Sequence, residues 1–299
     1  MINLIQKKLG LKISILTNII LFFVTVIGAA FLYYQQNNLF DNQLVDKGKM
    51  ASIIGAKAVG RILEEAIDNG ILTLSDVMDT NYEEIPGFDP PKFHTKYDRY
   101  TDRAFLSLQD EFLKTTDLLY AATLDVNGYL PTHNTRFSKA ITGEKQKDLL
   151  GNRTKRIFKD EIAIRAQKNT KEGFLQEYLR DTGETTWDIS TPVYVKGKHW
   201  GCFRVGFALT AINQTKLRLL ISLGLIGFAI FMVSTTSVFV IINHNLRPLT
   251  EFTRVASDLA DGHMDEKIKW ETKDEIGKLA DVLERLRVSL KAAMERLSR

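Results

Sequence analysis

The sequence predicts an α+β chain in which two membrane-spanning helices flank an antiparallel sheet domain and a parallel helical bundle follows the second span. Three observations carry this. Two charge-free apolar runs, 13–34 and 219–242, hold much of the hydrophobicity of a 299-residue chain that is 44% hydrophobic and 25% charged overall. Between them the apolar period changes from helical to two, and after the second run it becomes the 3-and-4 step of a coiled-coil seam. The overall fractions exclude a disordered polymer and a wholly membrane-buried bundle. A single cysteine, Cys202, excludes an internal disulfide, a thiolate zinc cage and a Cys-x-x-Cys-His haem attachment.

As helices the two runs are roughly 33 and 36 Å long, enough to cross a hydrocarbon core of about 30 Å. The second holds 15 Leu, Ile, Phe or Val residues, which outweigh Ser234, Thr235, Thr236 and Ser237. Those four can return their hydroxyls to backbone carbonyls or reach a neighbouring helix. Lys7, Lys8 and Lys12 precede the first run and no positive charge follows it over 35–39. The positive-inside bias therefore places 1–12 in the cytoplasm and, after two spans, the C-terminus on the same side. Lys216 and Arg218 oppose that orientation; Arg247 supports it. Gly28 to Ala30 could pass for a signal-peptide cleavage site, but Tyr33 and Tyr34 sit where an interfacial aromatic belt anchors a retained span.

The 35–215 insert is long enough for its own core, and its 24 Lys and Arg nearly balance its 25 Asp and Glu. Leu44, Ala51, Ile54, Ala58, Ile62 and Ala66 predict a helix running out of the first span to about Asp68, ended by Gly70. A loop rich in Pro and Gly (86–91) leads to a second helix marked by Tyr97, Tyr100, Ala104, Leu108 and Phe112. Leu118–Asp125 reads as a strand, Asp125–Gly128 as its turn and Tyr129–Thr132 as the return. A basic helix is expected over about 149–168. Three strands follow, Phe174–Leu179, Thr185–Val195 and Trp200–Leu209, with turns at 181–184 and 196–199. Alternation puts Gly201, Phe203, Val205, Phe207 and Leu209 on a core face, and the order of elements suggests a sheet covered on one side.

The segments Pro90–His94, Asp125–Asn134, Gly151–Phe158 and His199–Phe207 are similar to those of methyl-accepting chemotaxis receptors, and most of 40–210 resembles the Cache-type, PAS-like sensor domain of bacterial transmembrane receptors. The resemblance implies a small-molecule pocket, signal transduction and a bacterial inner-membrane location. Some similar receptors carry a covalent haem; without Cys-x-x-Cys-His no cofactor is expected.

Past the second span, Pro248 is placed to start a new helix while interrupting the old one. Leu249, Phe252, Ala256 and Leu259 form a narrow seam, Gly262 fits a C-terminal cap, and Met264 and Ile268 are expected as core contacts of a connector. Thr272 and Glu275 have capping-box spacing. Ile276, Leu279, Leu283, Leu286 and Leu290 repeat the seam, so each helix is expected to pack against its counterpart in a homodimer. Residues 243–297 resemble a HAMP domain, the signal-relay module of bacterial receptors, with Pro248, Gly262 and Asp274, Glu275 and Gly277 at its hallmark positions.

No enzyme is expected: there is no nucleophile with a converging base, no metal set and no P-loop, and the five histidines are scattered. The 136–171 segment carries seven excess positive charges, more simply a solvated helix face than an anion or lipid-headgroup site. Nucleic acid is not expected across the membrane from the chromosome. The candidate ligand residues are Tyr97, His133, Asn134, Arg136, Trp187, Asp188 and Arg204. Arg136 or Arg204 would hold a carboxylate, Asp188 an amine, and Trp187 would close over an apolar part. The expected protein is a homodimeric receptor that reports a small extracytoplasmic ligand through the bundle of 243–299 to a separate cytoplasmic partner. The alternatives are an N-terminal fragment of a longer chemoreceptor or sensor kinase, and a scaffold that binds no ligand.

Overall fold

The computed structural model describes residues 9–114, 118–180, 183–263, 265–268, 270 and 272–297. They form two compact units, one of residues 33–220 and one of the residues before and after it.

Helix α1 runs from Leu9 to Asp68 and ends where Gly70 takes φ +70°, a conformation without steric cost only for glycine. A one-turn helix α2 (Leu74–Val77) follows, closed by a capping box between Thr73 and Asp76. Strands β1 (Glu83–Ile85) and β2 (Lys92–His94) pair with each other, and α3 spans Asp98–Lys114. The main sheet is antiparallel in the order β3 (Tyr120–Asp125), β8 (Lys198–Ala208), β7 (Thr185–Val195), β6 (Phe174–Leu179). The tight turn between β7 and β8 carries Lys196 and Gly197 at φ +47° and +78°, the positive-φ pair that matches strand twist.

One face of this sheet receives α1. Leu44, Ala51, Ala56, Val59 and Leu63 are buried with Phe203, Val205 and Phe207, and three glycines let the helix approach. A Cβ at Gly55 would stand 2.1 Å from the Phe203 ring, one at Gly48 2.4 Å from Ile189, and one at Gly60 2.7 Å from the Tyr194 carbonyl. Ile54, expected in this stripe, is 54% exposed, because Gly55 and Ala56 take the contact surface.

The sheet is not open on its other side. All six residues of β3 are buried, and Tyr120, Ala122, Leu124 and Cys202 pack with Leu130 and Ala166 in a second core. The cover is the segment expected as one helix over 149–168. It forms α4 (Lys145–Gly151), a short strand β5 (Arg156–Ile157) and α5 (Glu161–Lys168). Backbone donors from Arg153, Lys155 and Phe158 go to carbonyls of Phe137, Leu130 and Gly128, which removes them from any helix. Asp160 caps α5 by accepting from Ala163 N at 2.9 Å. Strand β4 (Tyr129–Leu130) accordingly pairs with β5 rather than returning along β3. The 181–184 turn begins outside the described residues.

Helix α6 runs from Leu209 to Ala260, beginning in the sheet unit and continuing in the other, so Leu209 starts a helix rather than ending β8. The helix continues through Pro248, contrary to the expected break; flanking turns hold it although Pro248 offers no N–H to the preceding turn. Thr235 donates to Asn18 Oδ1 at 2.8 Å, Thr236 to its own helix at Met232 O, and Phe22 meets Phe231 edge to face at 5.8 Å. Gly262, at φ +86°, caps α6 as expected, with His263 N donating back to Asp258 O. Lys7, Lys8 and Met264 lie outside the described residues; Ile268 is half-buried. Helix α7 spans Glu275–Leu297, and its cap is Asp274 rather than the Thr272 and Glu275 pair. Asp274 Oδ1 accepts from Ile276 N and Gly277 N at 3.1 Å and from the Thr272 hydroxyl at 2.7 Å, which holds its carboxyl below the usual range. Gly277 is required here, since a Cβ would stand 1.9 Å from the Thr272 carbonyl.

Candidate functional site

Between the second sheet face and the α4–α5 cover lies a cavity of about 400 Å³, within the range of small-ligand sites. Tyr120, Ala122 and Leu124 from β3, Arg204 from β8, Tyr178 and Leu179 from β6 and Arg180 directly after β6 form its sheet wall. Leu130, His133 and the Arg153–Asp160 segment close it opposite.

Its polar groups form one network. Asp188, fully buried on β7, accepts from the Tyr120 hydroxyl at 2.5 Å and Arg204 Nε at 2.9 Å through Oδ1, and from Gln176 Nε2 at 3.4 Å through Oδ2. The strand register explains the convergence: Asp188 lies opposite Gly206 on β8, Gly206 opposite Tyr120 on β3, and Arg204 two residues away on the same face. Gly206 has no side chain because the Tyr120 ring occupies that space; a Cβ there would stand 2.1 Å from it. Burial and the Asp188 carboxylate raise the Tyr120 hydroxyl well above its ordinary value, which keeps it a donor. Burial opposes the Arg204 charge, and Asp188 together with Tyr120, Tyr178 and Cys202 more than offsets it.

Arg180 differs. Its side chain is 2% exposed and its guanidinium lies 5.1 Å from the Tyr120 ring and 4.9 Å from the Phe137 ring. Glu184 approaches only to 3.8 Å, and Nε and Nη1 are buried without a hydrogen-bond partner among the described residues. An unsatisfied buried donor is costly, and a buried cation more so. Arg153 and Arg156 stack on Phe158 at 5.0 and 5.1 Å, so part of the basic 136–171 segment faces the cavity rather than solvent.

Of the residues expected at the site, His133 and Arg204 line the cavity. Asp188 stands behind Arg204, its oxygens already engaged, and is not available for an amine. Asn134 is buried behind His133; its amide donates to His133 Nδ1 at 2.5 Å and to Ala121 O at 3.3 Å and accepts from Arg136 N at 3.2 Å. Arg136 is exposed and spends Nη1 on the carbonyls of Leu118 and Leu119. Trp187 faces the α1 side of the sheet and donates to Glu177. Tyr97 belongs to a separate network, where its hydroxyl and that of Tyr82 donate to Asp125 at 3.0 and 2.6 Å and its ring meets Trp200 edge to face. Sequence reasoning missed Tyr120 and Arg180; the basic excess of 136–171 was the available signal for Arg153 and Arg156.

His133 is a readable reporter of this wall. Burial first, and then Arg153 and Arg180, hold its imidazole well below the ordinary 6.5, so the native state keeps it neutral. Below pH 6.5 the unfolded chain takes a proton that the folded chain refuses, so stability falls with pH by up to about 1.4 kcal/mol per unit. Thermal melts between pH 7.5 and 5 should show this slope, reduced in His133→Gln; equal slopes would remove the assignment.

Two helices long and apolar enough to cross a membrane, an α+β sheet domain between their apolar stretches and a signalling module after the second define a transmembrane sensor. That module is specific: residues 241–292 match the HAMP domain, the relay unit expected there. Among solved structures, one similar to this chain is the isoleucine-bound sensory domain of the Campylobacter jejuni chemoreceptor Tlp3 (CcmL), with TM-score 0.29 and 10% identity over 62% of this chain. The match spans 65% of that structure. No curated protein matches the chain.

Proposed function

We propose that the chain is a receptor, not an enzyme, that binds a small extracytoplasmic anion in the cavity beside Arg180 and Arg204. The observation that carries this is the Arg180 guanidinium, buried in the wall of a cavity large enough for a ligand with two nitrogens that have no hydrogen-bond partner among the described residues. A fold that leaves such a group unpaired gains when an acceptor arrives. In this reading 13–34 and 219–242 span a bacterial inner membrane, 1–12 and 243–299 are cytoplasmic, and 35–215 is the outer domain.

The relay follows the covalent path. Helices α1 and α6 each join the sheet domain to an apolar stretch, and Lys216 pairs with Asp41 between them at 2.7 Å. Ligand shifts the equilibrium only by binding one arrangement better; a full switch needs about 5.5 kcal/mol of differential affinity. Pro248, Gly262, Asp274, Glu275 and Gly277 are the proposed relay residues. Leu279, Val282 and Leu286 of α7 are exposed in the single chain, which supports a homodimeric bundle that presents its output to a separate cytoplasmic partner.

The test is thermal unfolding of the full chain in lipid nanodiscs against amino acids, organic acids and other metabolites. A binder stabilises with concentration, by about 2.7 kcal/mol at 100 times Kd. Arg180→Met should raise ligand-free stability by about 1–3 kcal/mol through loss of an unsatisfied buried group and should lose the ligand response. No responding compound, or an equal response in Arg180→Met, would reject the proposal.

A further inference from the structure

We infer that Asn18 and Thr235 pin the axial register of the two apolar stretches and so set the resting position from which α6 carries a signal to Pro248. The pin rests on the reading of 13–34 and 219–242 as spans, not on any ligand. Thr235 donates from α6 to Asn18 Oδ1 of α1 at 2.8 Å, and Asn18 Nδ2 donates to Ser14 O at 2.8 Å, which orients the amide. Thr25 and Thr236 return their hydroxyls to Leu21 O and Met232 O of their own helices. Thr235 instead reaches across.

The surrounding contacts share one antiparallel register. Going up α1 and down α6, a Cβ at Gly10 would lie 3.2 Å from Leu246 Cδ1, Phe22 meets Phe231 at 5.8 Å, and a Cβ at Gly227 would lie 3.5 Å from Thr25 Cγ2. All belong to one compact unit. Asn18 stands five residues inside the start of the first apolar run and Thr235 seven inside the end of the second, about 8 and 10 Å at helical rise. The two side chains therefore lie at similar depth in the hydrocarbon, where no water replaces a lost partner.

The sequence makes this register selective. A slip of one turn brings Asn18 against Phe231 and Met232, or against Val238 and Phe239, none of which has a hydroxyl. Apolar neighbours repack against lipid after such a slip at little cost, because lipid tails are as apolar as the side chains they replace; the hydrogen bond has no such substitute. At the start of α1 the pinned register holds Gly10 beside Leu246, two residues before the buried Pro248. A signal that moves α6 by about 1 to 2 Å must stretch the bond between Thr235 and Asn18. The pin thus opposes the relay and gives the ligand-free receptor a defined starting point.

Disulfide trapping in the full chain in lipid nanodiscs tests this; the sole native cysteine, Cys202, is fully buried and stays out of the reaction. Thr25→Cys with Gly227→Cys reports the pinned register, and Thr25→Cys with Leu223→Cys or with Phe231→Cys reports a slip of about one turn either way. The first pair should crosslink at least about tenfold faster than the other two. Asn18→Leu, which leaves the segment apolar enough to insert, should reduce that ratio by about threefold or more, equal to about 0.6 kcal/mol. Asn18→Thr with Thr235→Asn, which exchanges the two partners, should restore it. A ratio unchanged in Asn18→Leu, or left low by the exchange, overturns the pin while the receptor reading stands. Equal trapping of all three pairs with Asn18 and Thr235 intact overturns the helix pairing itself, and the thermal response to ligand decides the receptor separately.

Discussion

Asp188→Ala should lower the stability of the sheet domain by about 3–5 kcal/mol, the usual cost of leaving a buried charge without its partner. The loss has three parts. The Arg204 guanidinium loses the carboxylate it is hydrogen-bonded to, the Tyr120 hydroxyl loses its 2.5 Å acceptor, and Gln176 loses one contact. Because all of them converge on one side chain, the losses are not additive with those of the partners. Asp188→Ala with Arg204→Met should recover part of the loss, since an apolar side chain in place of the stranded cation removes the uncompensated charge. In thermal unfolding the single variant should melt about 6–20 °C lower. A loss under about 1 kcal/mol, or a double variant as unstable as the sum of two singles, would mean that the network is more solvated than its burial indicates.

Phe203→Ala should cost about 3–5 kcal/mol, through lost burial and a cavity between α1 and the sheet. Phe203 is fully buried, its ring lies over Gly55 of α1, and Phe112 of α3 meets it at 5.3 Å. The glycine and the ring are complementary, which gives a stricter check. Gly55→Leu alone should also destabilise, since its Cβ would overlap the ring, whereas Gly55→Leu in the Phe203→Ala background should refill the space and restore part of the loss. Chemical denaturation of the four chains closes the cycle. If Gly55→Leu is equally harmful with and without Phe203, the helix does not rest on that ring. The contact also bears on signalling, because α1 continues toward the first apolar run.

How far the site was legible depended on the kind of signal each residue leaves. The end of α1 at Asp68, the three strands β6, β7 and β8 and the Lys196–Gly197 turn are local, set by period, glycine and strand-forming residues. His133 and Arg204 were recognisable as polar groups within otherwise apolar segments. Arg180 was not: it lies at a strand end before a turn, where a solvated arginine is ordinary, and in the fold the rings of Tyr120 and Phe137 pack against it. Tyr97 and Trp187 carried the same aromatic signal as a ligand-binding residue and belong to packing instead. Gly48, Gly55 and Gly60 score as weak positions in a hydrophobic stripe, yet they allow the closest approach of α1 to the sheet.

By itself, the sequence determined that two apolar runs bracket an α+β domain and precede a HAMP segment, because run length, period and helix punctuation are properties of neighbouring residues. Tertiary structure alone decided that the 145–168 segment folds back over the second sheet face, that β4 pairs with β5, and that two Arg180 nitrogens end without a hydrogen-bond partner among the described residues. Those outcomes depend on which distant groups compete for a backbone donor or a buried charge, and no local pattern records that competition.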